Sequence, residues 1–532
     1  MNLAKAAATV GGFTMLSRIL GFVRDILIAA MLGAGPLADA FVVAFRIPNL
    51  FRRLVAEGAF TAAFVPMFSR RLEASGKEAA RAFGEQVFSV MLVTVGLFTL
   101  LAEIFMPYLM YGLAPGFSAD ADKFALAVEL TRITFPYLLA MALVSLLGGM
   151  LNAVYRFAAM AAAPVLLNII LIAALAIVVP LVGLPGQVLA WGVAVAGLAQ
   201  LVYLMVASAR EGLRPRLVRP RFDAAIRRLL TLMLPAALGA GVTQINIVVG
   251  TMIASFLSTG AIAHLYYADR VYQLPLGVIG IAIGTALLPL LSRQLRAGED
   301  GAAMQSLNRG LEFSLLLTLP AAVALATIAG PIAIVLFERG AFTAADSMAT
   351  AGALAAYAFG LPAFVLVKVL APPFFAREDT RTPVIVATAA VAANIALSLA
   401  LIGPLGHVGI ALATTLAGWL NALLLMVLLH RRDFLAADPR FRRRFPRIVL
   451  AATLMGAALL AARPLVMPML ADGPTMRIAV LIGLVAGGAL VFAISVTLGG
   501  GARPADLKAL FRREPSAAAK PGPDADAGGD PS

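Results

Sequence analysis

The chain has 532 residues, of which 61% are hydrophobic and only 13% are charged, and its mean hydropathy is +0.93. Soluble globular proteins carry about 25% charged residues, so this composition excludes a water-soluble fold. The formal net charge of +14 would suit a nucleic-acid partner, but the positions of the basic residues give another explanation. There are no cysteines, which excludes disulfides, thiolate metal ligands and cysteine nucleophiles.

Apolar stretches of about 20 residues, the length that crosses the hydrocarbon core of a bilayer, recur along almost the whole chain. They predict an all-α polytopic membrane protein of about fourteen transmembrane helices. The spans are 8–32, 36–68, 83–107, 124–152, 158–180, 187–208, 229–257, 262–291, 310–337, 347–374, 383–402, 407–429, 448–469 and 477–499. The first span contains Arg18, Arg24 and Asp25, so it lacks the uncharged core of a secretory signal peptide and is interpreted as a retained helix.

The basic residues are unevenly divided between the loops. Of the 42 Lys and Arg, 30 lie in alternate loops and tails that would share one side of the membrane. The loops between them hold Lys123, Arg339, Arg463 and Arg477. Because basic loops stay in the cytoplasm, both termini and the loops at 69–81, 209–228 and 430–447 are predicted to be cytoplasmic, in a cell inner membrane. This distribution explains the net charge without nucleic acid.

A short internal repeat divides the chain. The sequences PMFSRRL (66–72) and PLLSRQL (289–295) share the pattern Pro-x-x-Ser-Arg-x-Leu, and each ends a predicted helix on the same side of the membrane. The repeat indicates two parallel lobes of six helices, and transporters built from repeats bind substrate between them. The alternative is that the shared pattern is only a common way for a helix to end on the cytoplasmic side, and not a repeat. The predicted parts are an N-terminal lobe 1–208, a basic linker 209–228, a C-terminal lobe 229–429, two further helices in 430–499 and a disordered cytoplasmic tail 500–532.

Eight cationic residues fall inside the predicted spans, where a charge costs at least about 2.5 kcal/mol unless it faces a cavity or a partner. They are Arg18, Arg24, Arg46, Arg52, Arg53, Arg132, Arg270 and Lys368. Arg132 and Lys368 are expected to extend toward an interface, whereas the other six lie in the first, second and eighth helices. Only Asp25, Asp39, Glu57 and Asp269 oppose them there, so the cluster keeps a net positive charge.

This cluster predicts a wet, cationic cavity. Ser17, Arg18, Gly21, Arg24 and Asp25 share one polar stripe of the first helix. A guanidinium does not lose its proton and binds phosphate with two parallel hydrogen bonds. A phosphate-bearing or carboxylate-bearing substrate is therefore expected. The alternative is that the arginines only pair with the acids.

Several motifs resemble those of the MurJ (MviN) family, the bacterial lipid II flippases of the larger MOP transporter superfamily. They are LSRILGFVRD (16–25), ADAF (38–41), PNLFRR (48–53), AEGAF (56–60), YADR (267–270), LPLG (274–277) and FAREDTRTP (375–383). The resemblance covers essentially residues 1–500. It implies a flippase that carries undecaprenyl-pyrophosphate-linked peptidoglycan precursor from the inner to the outer leaflet by alternating access, without catalysing a covalent reaction.

The resemblance also implies roles for individual residues. Arg18, Arg24, Arg52 and Arg270 match the arginines that bind substrate in that family, Asp39 matches a required acid, and the last two helices match a groove for the lipid tail. The residues expected to support the cavity are Ser17, Asp25, Asp39, Asn49, Arg53, Glu57 and Asp269. The implied partners are lipid II and membrane lipid, with cell-wall synthesis proteins left open. No cofactor or metal is expected.

Two departures from the family bear on coupling. Some members carry an acid where this chain has Gln273, and some bind sodium through carboxylates in helices seven and eleven. Residues 229–257 and 383–402 contain no Asp or Glu here. The neutral candidates that remain are Gln244, Asn246, Asn394, Thr414 and Thr415. Membrane potential or protons are therefore expected to drive transport in preference to sodium.

Three rival functions remain open at this stage. The first is a flippase for another polyprenyl-linked polysaccharide precursor, which would use the same cationic cavity. The second is a drug-cation exporter, which would be expected to keep net acid in its cavity. The third is a membrane glycosyltransferase, which would need acids or metal ligands near one interface, and the sequence has neither an Asp-x-Asp motif nor such a constellation.

Overall fold

The computed structural model describes residues 3–51 and 60–503, and within these ranges the chain forms helices joined by short connections, with no strand. The helices of the first half are α1 Leu3–Leu32, α2 Pro36–Phe51, α3 Phe60–Ile104, α4 Met106–Leu113, α5 Ala121–Thr134, α6 Tyr137–Ala153, α7 Phe157–Ala173, α8 Val179–Val182 and α9 Pro185–Arg210. A 3-10 turn lies at Pro115–Ala119 and a π-helical turn at Ala174–Val178.

The second half has a similar series of helices, and two more follow it. The second-half helices are α10 Ala224–Ser255, α11 Ala261–Arg296, α12 Asp300–Thr327, α13 Ala329–Phe337, α14 Ala344–Ala358, α15 Leu361–Leu370, α16 Pro372–Phe375 and α17 Arg381–Arg431. The last two are α18 Pro439–Val466 and α19 Pro474–Leu498. Nine helical stretches of the described ranges are long and apolar enough to cross a membrane, which confirms the predicted fold class. The count of fourteen stays a prediction.

Proline explains where two predicted spans divide. The span 124–152 forms α5 and α6, which meet at Phe135 and Pro136. The span 347–374 divides into α14 and α15 just before Pro362. Proline lacks the amide hydrogen and crowds the preceding turn, so the helix axis is interrupted there. Pro48, by contrast, lies inside continuous α2.

Two predicted connections between spans, at 69–81 and 403–406, lie within helices of the structure. The span 36–68 comprises α2 and the start of α3, with residues 52–59 outside the described ranges. Helix α3 then continues through the predicted loop 69–81, where Gly76 has a left-handed φ of 78°. Helix α17 likewise joins two predicted spans across Gly406, with φ 55°. Glycine adopts both positive φ angles without the steric cost of a Cβ, so the two helical segments on either side of each glycine are joined with little irregular structure.

The helices of each half pack mainly on one another. In the first half α1 packs on α7, α3 and α9 pack on α6, and α2 packs on α5; in the second, α11 packs on α12 and α14, and α15 on α12 and α17. The halves meet where α11 contacts α1 and α2 and where α10 contacts α3. Helices α18 and α19 pack together, α18 against α12 and α19 against α13. Large apolar side chains remain exposed on the outer helices, as lipid contact requires; examples are Trp191, Leu198, Leu454, Ile482 and Leu490.

Candidate functional site

A polar pocket lies between the two halves. It has a volume of about 480 Å³ and is lined by α1, α7, α11 and α15. Four of its lining side chains are cationic, namely Arg18, Arg24, Arg270 and Lys368, and one is a carboxylate, Asp25. The structure therefore brings three of the four predicted substrate-binding arginines into one pocket. The fourth, Arg52, lies outside the described residues.

The Asp25 carboxylate contacts both halves of the molecule in this pocket. Its Oδ1 accepts hydrogen bonds from Nε of Arg24 at 3.0 Å, from Nη2 of Arg24 at 2.7 Å and from the hydroxyl of Tyr266 at 3.0 Å. Its Oδ2 lies 3.8 Å from Nε of Arg270. Asp25 is 2% exposed and Arg24 is 7% exposed. One buried carboxylate thus partners two guanidinium groups, which leaves the group of charges positive.

Neighbouring side chains hold the Arg24 guanidinium and flank that of Arg270. Arg24 donates from Nη1 to Oδ1 of Asn168 on α7 at 2.9 Å. The amide nitrogen of Asn168 in turn donates to the backbone oxygen of Ser17 at 2.8 Å. The Arg270 guanidinium lies 4.7 Å from the Tyr266 ring centroid, and its buried Nε has no hydrogen-bond partner among the described residues.

Arg18 and Lys368 complete the pocket by lying against glycines of α11. A Cβ placed on Gly277 would come within 2.1 Å of Nη1 of Arg18, and a Cβ on Gly280 would come within 2.8 Å of Nζ of Lys368. The two glycines thus leave room for these charged groups, which would have to move if either glycine carried a side chain. Lys368 was expected to extend toward an interface, and this expectation is wrong, because the side chain enters the pocket.

Of the other residues predicted to support the cavity, Asp269 and Asn49 lie within the described ranges. Asp269 accepts a hydrogen bond from Gln273, which itself lines the pocket. Asn49 donates to the backbone oxygen of Phe45 within its own helix at 2.8 Å. Arg46 donates to Thr251 of α10 at 2.9 Å and so joins the halves beside the pocket. Arg53 and Glu57 lie outside the described residues.

Asp39 does not line the pocket. It lies one turn into α2, near the end of α1, and joins three segments there. Its Oδ2 accepts from Nζ of Lys123 at 2.7 Å and from the backbone N–H of Gly260 at 2.8 Å. Its Oδ1 accepts from the N–H of Ala263 at 2.9 Å. We call this set, Asp39 with Lys123, Gly260 and Ala263, the Asp39 closure. Lys123, which the sequence analysis placed in a loop, lies in the first turn of α5 and is 6% exposed.

Close backbone contacts reinforce the Asp39 closure. Gly260 has φ +94°, and a Cβ there would come within 2.3 Å of the carbonyl oxygen of Ala34. Gly33 has φ +64°, and a Cβ there would come within 2.5 Å of the oxygen of Ala341. Tyr267 also donates to the Gly33 oxygen at 3.0 Å. Only glycine permits both these backbone angles and these distances, so the halves are tightly apposed at this end.

Sequence reasoning missed two residues of the site. Asn168 is the one polar side chain in the apolar stretch VLLNIIL, and an amide in the middle of a membrane helix is a signal that could have been used. Tyr266 directly precedes the YADR motif, but nothing in the sequence shows that its hydroxyl reaches Asp25. Both contacts join helices that are distant in sequence.

Four of the five neutral residues considered for sodium contact protein groups, although the buried Oδ1 of Asn394 has no hydrogen-bond partner among the described residues. Asn394 donates to the side-chain oxygen of Asn246 at 2.7 Å. Thr415 donates to the backbone oxygen of Ala356 at 2.7 Å, and Thr414 to that of Ile410 at 2.9 Å. Within residues 3–51 and 60–503, no group of three or more His, Cys, Asp or Glu is placed to hold a metal ion.

Two packed helical halves with a charged pocket between them define a class of protein, the polytopic membrane transporters. Solved structures share this fold. A structure titled "Lipid II flippase MurJ, inward closed conformation" matches with a TM-score of 0.76 and 25% identity, over 94% of this chain and 99% of that one. An inward-facing multidrug resistance MATE family transporter of the MOP superfamily matches with a TM-score of 0.67 at 15% identity, over 80% of this chain and 98% of that one.

The sequence comparisons are more specific. Residues 28–481 match the family described as lipid II flippase MurJ. A probable lipid II flippase MurJ of Rhizobium meliloti (strain 1021) is 48% identical over 94% of this chain and 95% of its own length. The lipid II flippase MurJ of Burkholderia cenocepacia is 36% identical over 86% of this chain and 89% of its own length. The chain belongs to the MurJ lipid II flippase family.

Proposed function

We propose that this chain is a lipid II flippase of the cell inner membrane. It would move the undecaprenyl-pyrophosphate-linked peptidoglycan precursor from the inner to the outer leaflet, for peptidoglycan biosynthesis, without a covalent step. The observation that carries the proposal is the pocket between the halves, where Arg18, Arg24, Arg270 and Lys368 surround one carboxylate, Asp25. Such an excess of cationic donors suits a pyrophosphate, whose oxygens accept paired hydrogen bonds from guanidinium groups.

The positions of the contacts between the halves support alternating access. One described hydrogen bond between the halves joins the Gly116 N–H to the Ser255 hydroxyl oxygen. The others lie beside the pocket or near the end of α1 at Leu32, where the Asp39 closure, the bond from Tyr267 to Gly33 and the bond from the Ala341 N–H to the Ala30 oxygen are found. With both termini in the cytoplasm, as the basic loops predict, that end is extracytoplasmic. The state described here would then be closed to the outside, and transport would require the Asp39 closure to break while the halves rotate apart.

The two-lobe division, with the linker 209–228 between the lobes, is part of this proposal. So is a lipid-tail groove on α18 and α19, whose exposed apolar side chains would contact the polyprenyl chain. Since α10 and α17 supply amide and hydroxyl groups but no carboxylate, we propose that membrane potential or protons drive transport. Transport should then persist when sodium is replaced by potassium, and should stop when the potential is collapsed. A strict sodium requirement in vesicles would refute this part.

Depletion and complementation test the function directly. In a strain depleted of its own flippase, lipid II should accumulate on the cytoplasmic side, and expression of this chain should remove it. If the chain reaches the membrane at a normal level and lipid II still accumulates, the substrate is another polyprenyl-linked precursor or the chain has another activity.

The arginine geometry can be tested by conservative substitution. Lys keeps the charge but cannot form the two parallel hydrogen bonds of Arg. We expect Arg24→Lys and Arg270→Lys to reduce lipid II binding, with membrane insertion unchanged. The matched control is Arg132→Lys, because Arg132 is exposed on α5 and does not line the pocket. Equal binding by all three variants and the parent would remove Arg24 and Arg270 from the substrate site.

A further inference from the structure

Two of the three histidines of the chain meet near the Asp39 closure. The ring of His264, in the first turn of α11, lies 5.3 Å from the ring of His407, measured between centroids. Nε2 of His264 lies 3.1 Å from Oδ1 of Asp346, in the first turn of α14. We call His264, Asp346 and His407 the histidine cluster. The third histidine, His430, lies in the last turn of α17.

The hydrogen bonds show which atom of each imidazole can take up another proton. An ionised carboxylate and a carbonyl oxygen only accept hydrogen bonds. Nε2 of His264 therefore carries the hydrogen that is donated to Asp346, and Nε2 of His407 donates to the backbone oxygen of Ala349 at 2.9 Å. Among the described residues, no group hydrogen-bonds to Nδ1 of either ring. Nδ1 is thus the atom that gains a proton as the pH falls through the range of histidine.

The two rings share one carboxylate. Oδ2 of Asp346 accepts from the backbone N–H and the hydroxyl of Thr343, at 2.9 Å and 2.8 Å, while its Oδ1 accepts from His264. Hydrogen bonds of this kind favour the ionised carboxylate, so Asp346 balances one imidazolium, that of His264. Within the described ranges, His407 has no carboxylate at ion-pair distance. A proton on His407 therefore places two positive rings beside one negative group.

The acids on the segments that pack around the histidine cluster are already paired. Asp39 of α2 is paired with Lys123, and Glu338, just before α14, is paired with Arg477 at 3.2 Å. Arg339, in the same connection, is exposed and adds positive charge. With one proton in the histidine cluster, these ion pairs are balanced. A second proton has no counter-charge there.

The histidine cluster is directly connected to the Asp39 closure. The N–H of His264 donates to the Gly260 oxygen at 2.8 Å, and Cε1 of its ring lies 3.1 Å from the position of a Cβ on Gly260. Gly260 is also the residue whose N–H donates to Asp39. A carboxylate is favourable at the start of a helix and a cation is unfavourable there. Protons on the cluster therefore act against the helix end that Asp39 holds, whereas Tyr267, in the next turn, stays neutral at and below neutral pH.

We propose that the histidine cluster is a proton-binding site that opens the extracytoplasmic end of the chain at low pH. His264 is 9% exposed, so a second positive ring beside it is poorly solvated while the halves are closed. Opening admits water to both rings, and the open state therefore binds more protons than the closed state. A fall in pH then shifts the population toward the open state. This inference rests on the alternating access of the proposed function and names a ligand, the proton, that acts on the Asp39 closure.

The test uses the cysteine-free full chain with one reporter, Ala34→Cys, purified in detergent without lipid II. The rate of labelling by a maleimide is measured from about pH 8 to about pH 5.5, where histidine titrates. The parent is compared with His264→Gln, His407→Gln and His430→Gln. Glutamine keeps an N–H to donate but takes up no proton. His430, whose Nδ1 lies 3.1 Å from the Leu435 oxygen, is the matched control outside the cluster.

Rates are compared between proteins at the same pH, because the reactivity of the thiol itself changes with pH. We expect all four proteins to be labelled at the same rate at the alkaline end of the range. At the acidic end, the parent and His430→Gln should be labelled roughly tenfold faster than His264→Gln and His407→Gln. The same pH dependence in all four would overturn the proposal. Faster labelling of the two cluster variants at low pH would also overturn it, because protons would then stabilise the closed state.

His407→Gln supplies the measurement if His264→Gln does not fold, since it leaves the pair of His264 with Asp346 in place. Labelling of His407→Gln equal to that of the parent at every pH would overturn the proposal. Because lipid II is absent, the result does not depend on the transported substrate. Failed complementation with pH-dependent labelling intact would refute the proposed function and support the proton site. Complementation with labelling that ignores the histidines would do the reverse.

Discussion

Tyr266 of α11 donates its hydroxyl hydrogen to Oδ1 of Asp25 of α1, at 3.0 Å. The same oxygen accepts from Arg24, and the same tyrosine ring lies beneath the Arg270 guanidinium. This hydrogen bond therefore joins the two halves of the molecule at the carboxylate that holds the pocket arginines.

Tyr266→Phe should test this connection. The substitution keeps the ring beside Arg270 but removes a buried hydrogen bond to a charged group, worth about 1.5 to 3 kcal/mol. We expect a lower thermal unfolding temperature in detergent and weaker lipid II binding. Tyr155→Phe, on an exposed side chain, is the control and should change neither. If Tyr266→Phe has the unfolding temperature and the lipid II binding of the parent, the arginines alone hold Asp25 in place.

The Asp39 closure should open when its cation is removed. Lys123→Met leaves Asp39 with only its two backbone donors in a buried site, and breaking a buried ion pair costs about 3 to 5 kcal/mol. Because the chain has no cysteine, Ala34→Cys provides a single reporter near the closure. A membrane-impermeant maleimide should label that cysteine faster in the Lys123→Met background.

The control for this experiment is Arg156→Met, which breaks an exposed ion pair with Glu211. Exposed pairs contribute at most about 1 kcal/mol, so labelling at position 34 should not change. If Lys123→Met and Arg156→Met give the same labelling rate as the parent, the pair with Asp39 does not hold the halves together.

Gly260→Ala should prevent the halves from closing. A Cβ at Gly260 meets the Ala34 oxygen at 2.3 Å, whereas a Cβ at Gly298, also at a left-handed φ of 75°, meets nothing within 4 Å. Both substitutions place alanine at a left-handed φ, at a backbone cost of about 1 to 2 kcal/mol. A difference in activity between the two variants therefore reports the steric clash of the new Cβ at position 260 with the Ala34 oxygen. We expect Gly260→Ala to abolish complementation at a normal membrane level and Gly298→Ala to complement. Complementation by both variants would disprove the tight apposition.

Asp379, in the FAREDTRTP motif, should make the stability of the folded protein depend on pH. Hydrogen bonds from the Thr382 hydroxyl and amide, and from Arg432, lower the pKa of Asp379 from 3.8 to about 2. Because this pKa is depressed in the folded state, the stabilisation is present above about pH 4 and is lost as the pH falls toward 2. The difference in unfolding temperature between the parent and Asp379→Asn should shrink over that interval. Asp433→Asn, whose carboxylate is outside these contacts, should show no such trend.

The sequence alone determined the fold class and most of the composition of the pocket. Hydropathy identified a polytopic helical protein, because a span of about 20 apolar residues has no other stable environment than lipid. The cost of a charge in a membrane helix selected eight cationic residues, among them Arg18, Arg24 and Arg270, since only a cavity or a partner can compensate for it. The resemblance to the MurJ family implied which of the eight bind substrate. This argument is local and needs no knowledge of which helices are neighbours.

Only the tertiary structure decided which charges meet. The sequence analysis expected both Asp25 and Asp39 to support the cavity, yet Asp25 holds pocket arginines and Asp39 pairs with Lys123 near the end of α1. Lys368 was expected to extend to an interface, but a glycine of α11 leaves room for it in the pocket. Helical periodicity defines the face of a single helix. The partner of a buried charge depends on how helices distant in sequence pack together, and this packing is set by side chains and glycines on both surfaces.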